Sequence, residues 1–428
     1  MSSWAYNLLM RLLQPWLRRK LARRALSEPL YGEHVAQRFG QYPAPAEPVD
    51  LWIHAVSLGE TRAAQVLLEA LRRAQPDLRV LLTHGTATGW AQGREILRPG
   101  DHQAWLPWDT AAAVAGFLDH FQPRMGVLME TEVWPNLVHA CRSRGIELML
   151  ANARLSERSL RKALRLSGWA KPAYQALAMV WPQTDADARR FTRLGVKFML
   201  TLGNLKYDQQ PDAEQLAQGQ ALKARLPKPV LLLASSRQGE EAAWAQALKG
   251  NTDRCLPWVV PRHPQRFDEV AQVLQAQGFQ VLRRSRMSLD EADLAKCASA
   301  HTVVLGDTLG EMAFYYGAAH LALMGGSFER FGGQNLIEAL ACGCPVVLGP
   351  HTYNFEQASE QAMACGAALG ATDMAHGVAQ ALELCRAPDW RQAMSQHGLE
   401  MLQGHQGVAA RMAQQVLEHL RRLTVAAR

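Results

Sequence analysis

Three carboxylates and two cations stand where parallel α/β folds display reactive groups. Glu60 closes the run Leu51-Trp-Ile-His-Ala-Val-Ser-Leu-Gly-Glu60. An apolar strand, Leu51 to Ile53, leads through small residues to the acid, and a helix-like segment, Thr61 to Ala74, follows. Open α/β sheets bind ligands at the carboxyl ends of their strands. A carboxylate there can take a proton from an incoming hydroxyl; it can equally be a first-turn acid favoured by the helix dipole. Glu130 and Glu132 follow a second apolar run, Val127 to Met129, and precede Trp134-Pro135-Asn136. Two residues apart, they diverge if the strand continues, so that one can face a cleft and the other cap a helix. Arg154, in Ala151-Asn-Ala-Arg-Leu-Ser-Glu-Arg-Ser159, and Lys206, in Gly203-Asn-Leu-Lys-Tyr-Asp208, follow later strands. A single cation is ordinarily a solvated surface charge; the shared placement after strands sets these two apart. The loop Thr83-His-Gly-Thr-Ala-Thr-Gly89 offers hydroxyls and amides to an anion, or forms an ordinary turn. It lacks the phosphate-loop lysine and the dinucleotide glycine fingerprint.

The second half of the chain has three comparable places. Pro261-Arg262-His263-Pro264 is a stiff turn whose arginine suits a phosphate or carboxylate. Gly306-Asp-Thr-Leu-Gly-Glu-Met312 lies between a strand and a helix. Gly325 to Glu338 is a glycine-rich turn that opens a helix, and amides at a helix start can bind phosphate. Glu338 can accept hydrogen bonds from ribose hydroxyls, or simply sit as a dipole-favoured acid in the first turns.

These groups need a scaffold, and the hydropathy pattern supplies one. Strands are expected at Leu51–Ile53, Val80–Thr83, Met125–Met129, Glu147–Ala151, Met179–Pro182 and Phe198–Leu202. A second series is expected at Val230–Ala234, Trp258–Pro261, Gln280–Arg283, Val303–Leu305, Leu321–Met324 and Val346–Leu348. Helical patterns rich in Ala, Leu, Arg and Gln alternate with them, which implies parallel sheets covered on both faces. Two series imply two doubly wound domains facing across a cleft, with a boundary near Tyr207–Ala213, where the chain turns polar. The cleft is a place to bring two substrates together and exclude water. His405 to Leu423 reads as one long helix belonging to the second domain.

Composition is that of a globular protein: 428 residues, 48% hydrophobic and 20% charged. A net charge of +7 points to an anionic partner. The excess gathers at the N-terminus and no nucleic-acid motif accompanies it, which argues against nucleic acid. Seven cysteines do not form a disulfide framework. Cys342 and Cys344 lie in an apolar stretch with no second pair, so they read as small buried side chains rather than metal ligands. Residues 1–30 contain apolar runs with Trp4, Tyr6 and Trp16 beside Arg18, Arg19, Lys20, Arg23 and Arg24. No uninterrupted apolar stretch is long enough to span a bilayer. The pattern suits a helix lying in an anionic interface, or an amphipathic helix packed on the protein's own body. Pro15 is expected to kink or interrupt it.

Taken in order, HAVSLGE, METEVWPN, ANARLSERS, GNLKYD, PRHPQRF, GDTLGEM and FGGQNLIEALACGCPVV resemble the bacterial 3-deoxy-D-manno-octulosonic acid (Kdo) transferases of lipid A assembly. The resemblance runs from about Tyr31 to Gly366, and the N-terminus is similar to that family's membrane-anchoring segment. It implies a GT-B fold with a membrane-associated segment over 1–30, an acceptor-binding domain over 31–207 and a CMP-sugar domain over 208–428. It implies transfer of Kdo from CMP-Kdo to lipid IVA at the cytoplasmic face of the inner membrane; no cofactor is expected, and with no aspartate-rich metal motif in the sequence no essential divalent ion is expected at the phosphate. By resemblance, Glu60 matches the general base of a single displacement, and Glu130 and Lys206 match positions that stabilise the transition state. Pro261, Arg262, Gly310, Glu311, Met312, Asn335, Leu336, Ile337 and Glu338 match CMP-contacting segments. The sequence departs from the family's pattern at Gln334, Leu336 and Ile337, and at His84 and Ala87. Other enzymes with this architecture, sugar-nucleotide transferases or epimerases, and a non-catalytic membrane-bound nucleotide-binding module are the alternatives.

Overall fold

A computed structural model describes residues 3–43, 48–297 and 299–426. The chain forms two compact units. The first holds Met1–Asp208 and Gly407–Arg428; the second holds Gln209–Gln406.

The first unit is built on a six-stranded parallel sheet in the order β3-β2-β1-β4-β5-β6. Its strands are β1 (Leu51–His54), β2 (Val80–His84), β3 (His102–Trp105), β4 (Met125–Met129), β5 (Glu147–Ala153) and β6 (Met179–Pro182). Nearly every residue in β1, β2, β4 and β5 is buried, as a sheet covered on both faces requires. Alternate residues feed two cores: Leu51 and Ile53 pack with the helix Leu58–Ala74, whereas Trp52 packs with Phe117 and Leu137 on the other face. The chain order reverses between β1 and β4, so the loops leaving these two strands flank the switch-point crevice. Those are the loops that carry Glu60 and Glu130.

The second unit has a seven-stranded parallel sheet, β13-β12-β11-β7-β8-β10-β9. Its strands are β7 (Val230–Ser236), β8 (Leu256–Pro261), β9 (Gln280–Arg283), β10 (Thr302–Leu305), β11 (Leu321–Met324), β12 (Val346–Leu348) and β13 (Ala368–Gly370). Its switch point lies between β7 and β11.

Several expectations need correction. Phe198–Leu202 is not a strand: it makes one isolated bridge, Val180 to Met199, beyond the sheet edge, and Phe198 and Leu200 are exposed. The edge strands β3 and β13 went unpredicted because one is half polar and the other holds a single large apolar residue. The helix expected over His405–Leu423 is Val408–Ala426; His405 ends the preceding helix, Pro388–His405, and Gly407, with a left-handed φ of 84°, separates the two. The last one belongs to the first unit. Its Met412, Val416, Leu417 and Leu420 join the core formed by Leu51, Val127 and Leu67. Asp208 fastens it, accepting hydrogen bonds from the Gly407 and Ala409 amides at 2.6 and 2.5 Å.

The N-terminal helix, Ser3–Ala25, runs through Pro15 without a break. Met1, Ser2 and the Trp4 side chain lie outside what is described. Leu17 and Leu21 are buried, and Tyr6 turns inward to donate to buried Asp109 at 2.7 Å rather than facing out. Leu8, Leu9, Leu12, Leu13 and Trp16 are exposed on the same helix. One face of the helix therefore packs on the body, and apolar side chains remain outside it. Among the described residues no helix is long and apolar enough to cross a membrane.

Candidate active site

Glu60 lies in the first turn of the helix Leu58–Ala74, whose N-cap is Ser57. The Glu60 amide donates to Ser57 Oγ at 3.4 Å, and the Ser57 hydroxyl donates back to Glu60 Oε1 at 2.9 Å. The Val56 amide donates to Glu60 Oε2 at 2.9 Å. This is a variant of the capping box, and Ser57-x-x-Glu60 was its signal in the sequence. Burial nevertheless moves the Glu60 carboxyl up to about 7, with the Glu130 charge adding to the shift. The bonds from Val56 and Ser57 oppose it, and Glu132 contributes in the upward direction. Glu60 is thus both a cap and an acid tuned to neutral pH. Each of its oxygens accepts one hydrogen bond from these two partners and keeps a lone pair beyond it.

Glu130, at the end of β4, is 7% exposed and adopts a left-handed φ of 55°. A glutamate rarely takes this conformation, which is typical of strained functional positions. The turn aims its carboxylate at two cations: Arg154 Nε at 3.3 Å and Lys206 Nζ at 3.5 Å. Lys206 comes from the short 3-10 turn Leu205–Asp208, and Arg154 follows β5. Glu60, Glu130, Arg154 and Lys206, distant in sequence, therefore belong to one cluster at the strand ends.

Glu132 does not cap the following helix, Pro135–Ser143. The Trp134 indole donates to it at 2.9 Å and the Thr131 hydroxyl at 3.4 Å, and burial raises its pKa. The cap comes from Asp109, which accepts from the Asn136 and Leu137 amides at 3.0 and 2.8 Å. No sequence pattern marks Asp109, because it caps a helix whose first residues lie more than twenty positions away. The hydroxyl loop is largely consumed by structure. Thr83 accepts from the Trp52 indole at 2.7 Å, and Thr86 caps its helix through the Gly89 amide at 3.2 Å.

In the second unit, β8 ends at buried Pro261 and leaves Arg262 exposed, its amide donating to the Ser236 carbonyl at 3.0 Å. Arg237 reaches His263 at 2.8 Å and lies 4.4 Å over the Phe331 ring. Partial burial lowers the His263 pKa, and Arg237, Arg262 and Arg266 lower it further, so the imidazole is neutral among three cations. Arg237 leaves β7 at the switch point and was not picked out in the sequence, where no motif marks it. Beside it, buried Glu240 accepts from the amides of Arg237 and Gly326 at 2.8 Å and of Phe328 at 3.1 Å. One carboxylate thus shapes the glycine-rich turn, and Gly326 and Gly333 supply its left-handed corners.

The other expected contacts divide. Gly310 is left-handed, with open space where a side chain would stand. Glu311 is held by Arg284 at 3.3 Å and by the Thr308 hydroxyl at 2.5 Å, and Met312 begins a short helix. Asn335 caps the helix Leu336–Ala341 by accepting from the Ile337 amide at 3.3 Å. Leu336 and Ile337 are buried in the core, so only their backbones can meet a ligand. Glu338 is half-buried in the first turn. Cys342 and Cys344 are buried, and burial pushes the Cys344 thiol up to about 12, as for inert packing side chains.

Residues 33–209 match the family model described as 3-Deoxy-D-manno-octulosonic-acid transferase (kdotransferase). The chain is 44% identical to a 3-deoxy-D-manno-octulosonic acid transferase of Bordetella pertussis, over 96% of this chain and 98% of that protein. It is 30% identical to the Haemophilus influenzae protein of the same name, over 97% and 98%. In fold, it is similar to a glycosyltransferase structure from Rickettsia africae, with a TM-score of 0.57 and 11% identity over 88% of this chain and 99% of that one. With two parallel α/β sheets of the GT-B type and these relatives along its whole length, the chain belongs to the 3-deoxy-D-manno-octulosonic acid transferase family of glycosyltransferases.

Proposed function

We propose that this transferase moves Kdo from CMP-Kdo to a hydroxyl of lipid IVA in lipopolysaccharide assembly, in one inverting displacement. Family membership supports the sugar that is transferred. The observation that carries the mechanism is Glu60: a carboxylate at a strand end, moved by burial to about 7, is matched to general-base work at neutral pH. Glu60 takes the proton of the acceptor hydroxyl as its oxygen bonds to the anomeric carbon of Kdo. The bond to the phosphate oxygen breaks, and CMP leaves with that electron pair. Glu130 favours the oxocarbenium-like centre, and Lys206 offers its charge to the sugar carboxylate or to the phosphate. Arg262, the Gly310–Met312 segment and the Asn335–Glu338 turn are assigned to CMP, and Arg237 joins them.

The exposed apolar side chains of the N-terminal helix and the adjacent Arg18, Arg19, Lys20, Arg23 and Arg24 support attachment to an anionic membrane surface, the cytoplasmic side of the inner membrane. The test is incubation with CMP-Kdo and lipid IVA, with products weighed by mass spectrometry. A mass increase in whole Kdo units is expected, and its size counts the sugars added. No increase, with the protein folded, refutes the proposal.

A further inference from the structure

Lys206 meets Glu130 only because a short turn is held in place, and what holds it is a set of three amide side chains. Asn152 is fully buried near the end of β5, where pairing with β6 shifts register between Leu150 and Ala153. Its φ is 52°, so it stands in the left-handed region beside Glu130, which does the same on the neighbouring strand. Asparagine is among the few residues that tolerate this backbone. Its Oδ1 accepts the Leu205 amide at 3.0 Å, and its carbonyl accepts the Gln183 side-chain amide at 2.8 Å. Gln183, just past β6, accepts from the Asn204 side chain at 3.2 Å. Asn204 accepts the Lys206 amide at 3.0 Å. The path closes on itself: Asn152 to Gln183 to Asn204 to Lys206, and back through Leu205 to Asn152. Every bond falls on the turn that presents Lys206 or on a residue that braces it.

We propose that Asn152, Gln183 and Asn204 are positioning residues that hold the Lys206 ammonium against the Glu130 carboxylate, and so set how much of the Glu130 charge reaches Glu60. This rests on the reading above that Lys206 and Glu130 act in turnover. Glu130 and Glu132 are the charged groups that act on Glu60; Arg154 and Lys206 are those that pair with Glu130. A loosened turn leaves Glu130 neutralised by Arg154 alone. More negative charge then faces Glu60, and the base requires a higher pH to ionise.

The test is a double-mutant cycle on the transfer reaction. Gln183→Met removes two of the bonds at a partly buried side chain. Asn152→Gly removes the bond to Leu205 and keeps the left-handed backbone accessible. Each is expected to lower kcat about tenfold to a hundredfold and to move the acid limb of the pH profile upward, as Lys206→Ala does. In the Lys206→Ala background each is expected to cost less than about twofold more. A general packing role predicts full additivity instead, and additivity overturns the proposal. If Asn152→Gly does not fold, Gln183→Met decides alone. Lys206→Ala impaired with Gln183→Met unaffected overturns the frame only. Lys206→Ala without effect overturns both the frame and the role assigned to Lys206.

Discussion

Glu60 carries two obligations that pull against each other. As a cap it accepts bonds from Val56 and Ser57, which favour the ionised form; as a buried acid beside Glu130 it is driven toward the neutral form. Burial wins, at about 7. Glu60→Gln is expected to keep the fold and lower turnover by about 10²–10⁴-fold, the usual worth of a general base, read by CMP release with the lipid acceptor. In the unaltered protein, kcat/KM should fall about tenfold per pH unit below about 7, where the base becomes protonated. Stability runs the other way. With its folded pKa above the unfolded value, Glu60 binds its proton more tightly in the native state, so its contribution weakens as pH rises from about 4.5 to 7. Glu60→Gln should therefore raise the melting temperature at pH 8 relative to the parent, and not at pH 4.5. Glu130→Gln provides the contrast: it removes a neighbouring charge, so the acid limb should shift downward while turnover falls. A melting difference equal at both pH values, or an acid limb unmoved by Glu130→Gln, contradicts this account. The acids themselves were legible in the sequence, because a carboxylate after an apolar strand is a local pattern. Asp109, Asn152, Gln183 and Arg237 were not. Each acts across the sheet on a residue from another strand or helix, and single-chain spacing holds no trace of such pairings.

At the scale of elements, strands on apolar runs were legible, the edge strands β6 and β9 among them, and the edge strands β3 and β13 were not. β4, β6, β9, β11 and β12 follow apolar runs bounded by turn residues. His102–Trp105 is half polar and Ala368–Gly370 holds a single large apolar residue, so both lack that signature. The assignment of the last helix failed for a different reason: an amphipathic pattern gives a face to bury but not the surface that receives it. The helix Val408–Ala426 completes the core of the first unit. Truncation after Gln406 should expose Met412, Val416, Leu417 and Leu420 together with their partners. At about 1.5–3 kcal/mol for each large side chain, the loss rivals the whole stability of a domain, about 5–15 kcal/mol. The truncated chain is expected to lose cooperative melting of the first unit, or soluble expression. Asp208→Ala, which removes only the acceptor for Gly407 and Ala409, should cost about 1–2 kcal/mol, and urea melts distinguish the two. The N-terminal helix gives the opposite case, a face with no protein partner among the described residues. Leu12→Gln with Trp16→Gln should weaken co-sedimentation with anionic vesicles at least about tenfold and leave the melting temperature unchanged, because both side chains are exposed. Unchanged vesicle binding assigns that face to something other than a lipid surface.

Across the whole molecule, the two units share a design that the alternation of strands and helices announced. Each has a parallel sheet with a reversal in strand order, and each places charged side chains on the loops beside that reversal. The packing beneath also builds a common acid sensitivity, which the sequence did not disclose because it depends on burial. His54 and His84 in the first unit are driven by burial down to about 3 and about 4, and His320 in the second to about 3. All three are neutral in the folded protein at pH 7. In the unfolded chain each returns toward 6.5 and takes up a proton as pH falls below that value. The unfolded state therefore binds more protons between about 6.5 and about 4, and stability is fully present above 6.5 and drains away below it. Each histidine contributes a slope of about 1.4 kcal/mol per pH unit once well below 6.5. Glu60, Asp109, Glu132 and Glu240, all raised by burial, act with the opposite sign over part of the same range, so substitution is what isolates the histidines' share. Through these histidines acid weakens both units. On going from pH 7.5 to pH 5, the urea midpoint of the first unit should move less toward instability in His84→Gln than in the parent, and that of the second unit should move as it does in the parent. A first unit whose pH slope survives His84→Gln intact would place the acid sensitivity on other groups.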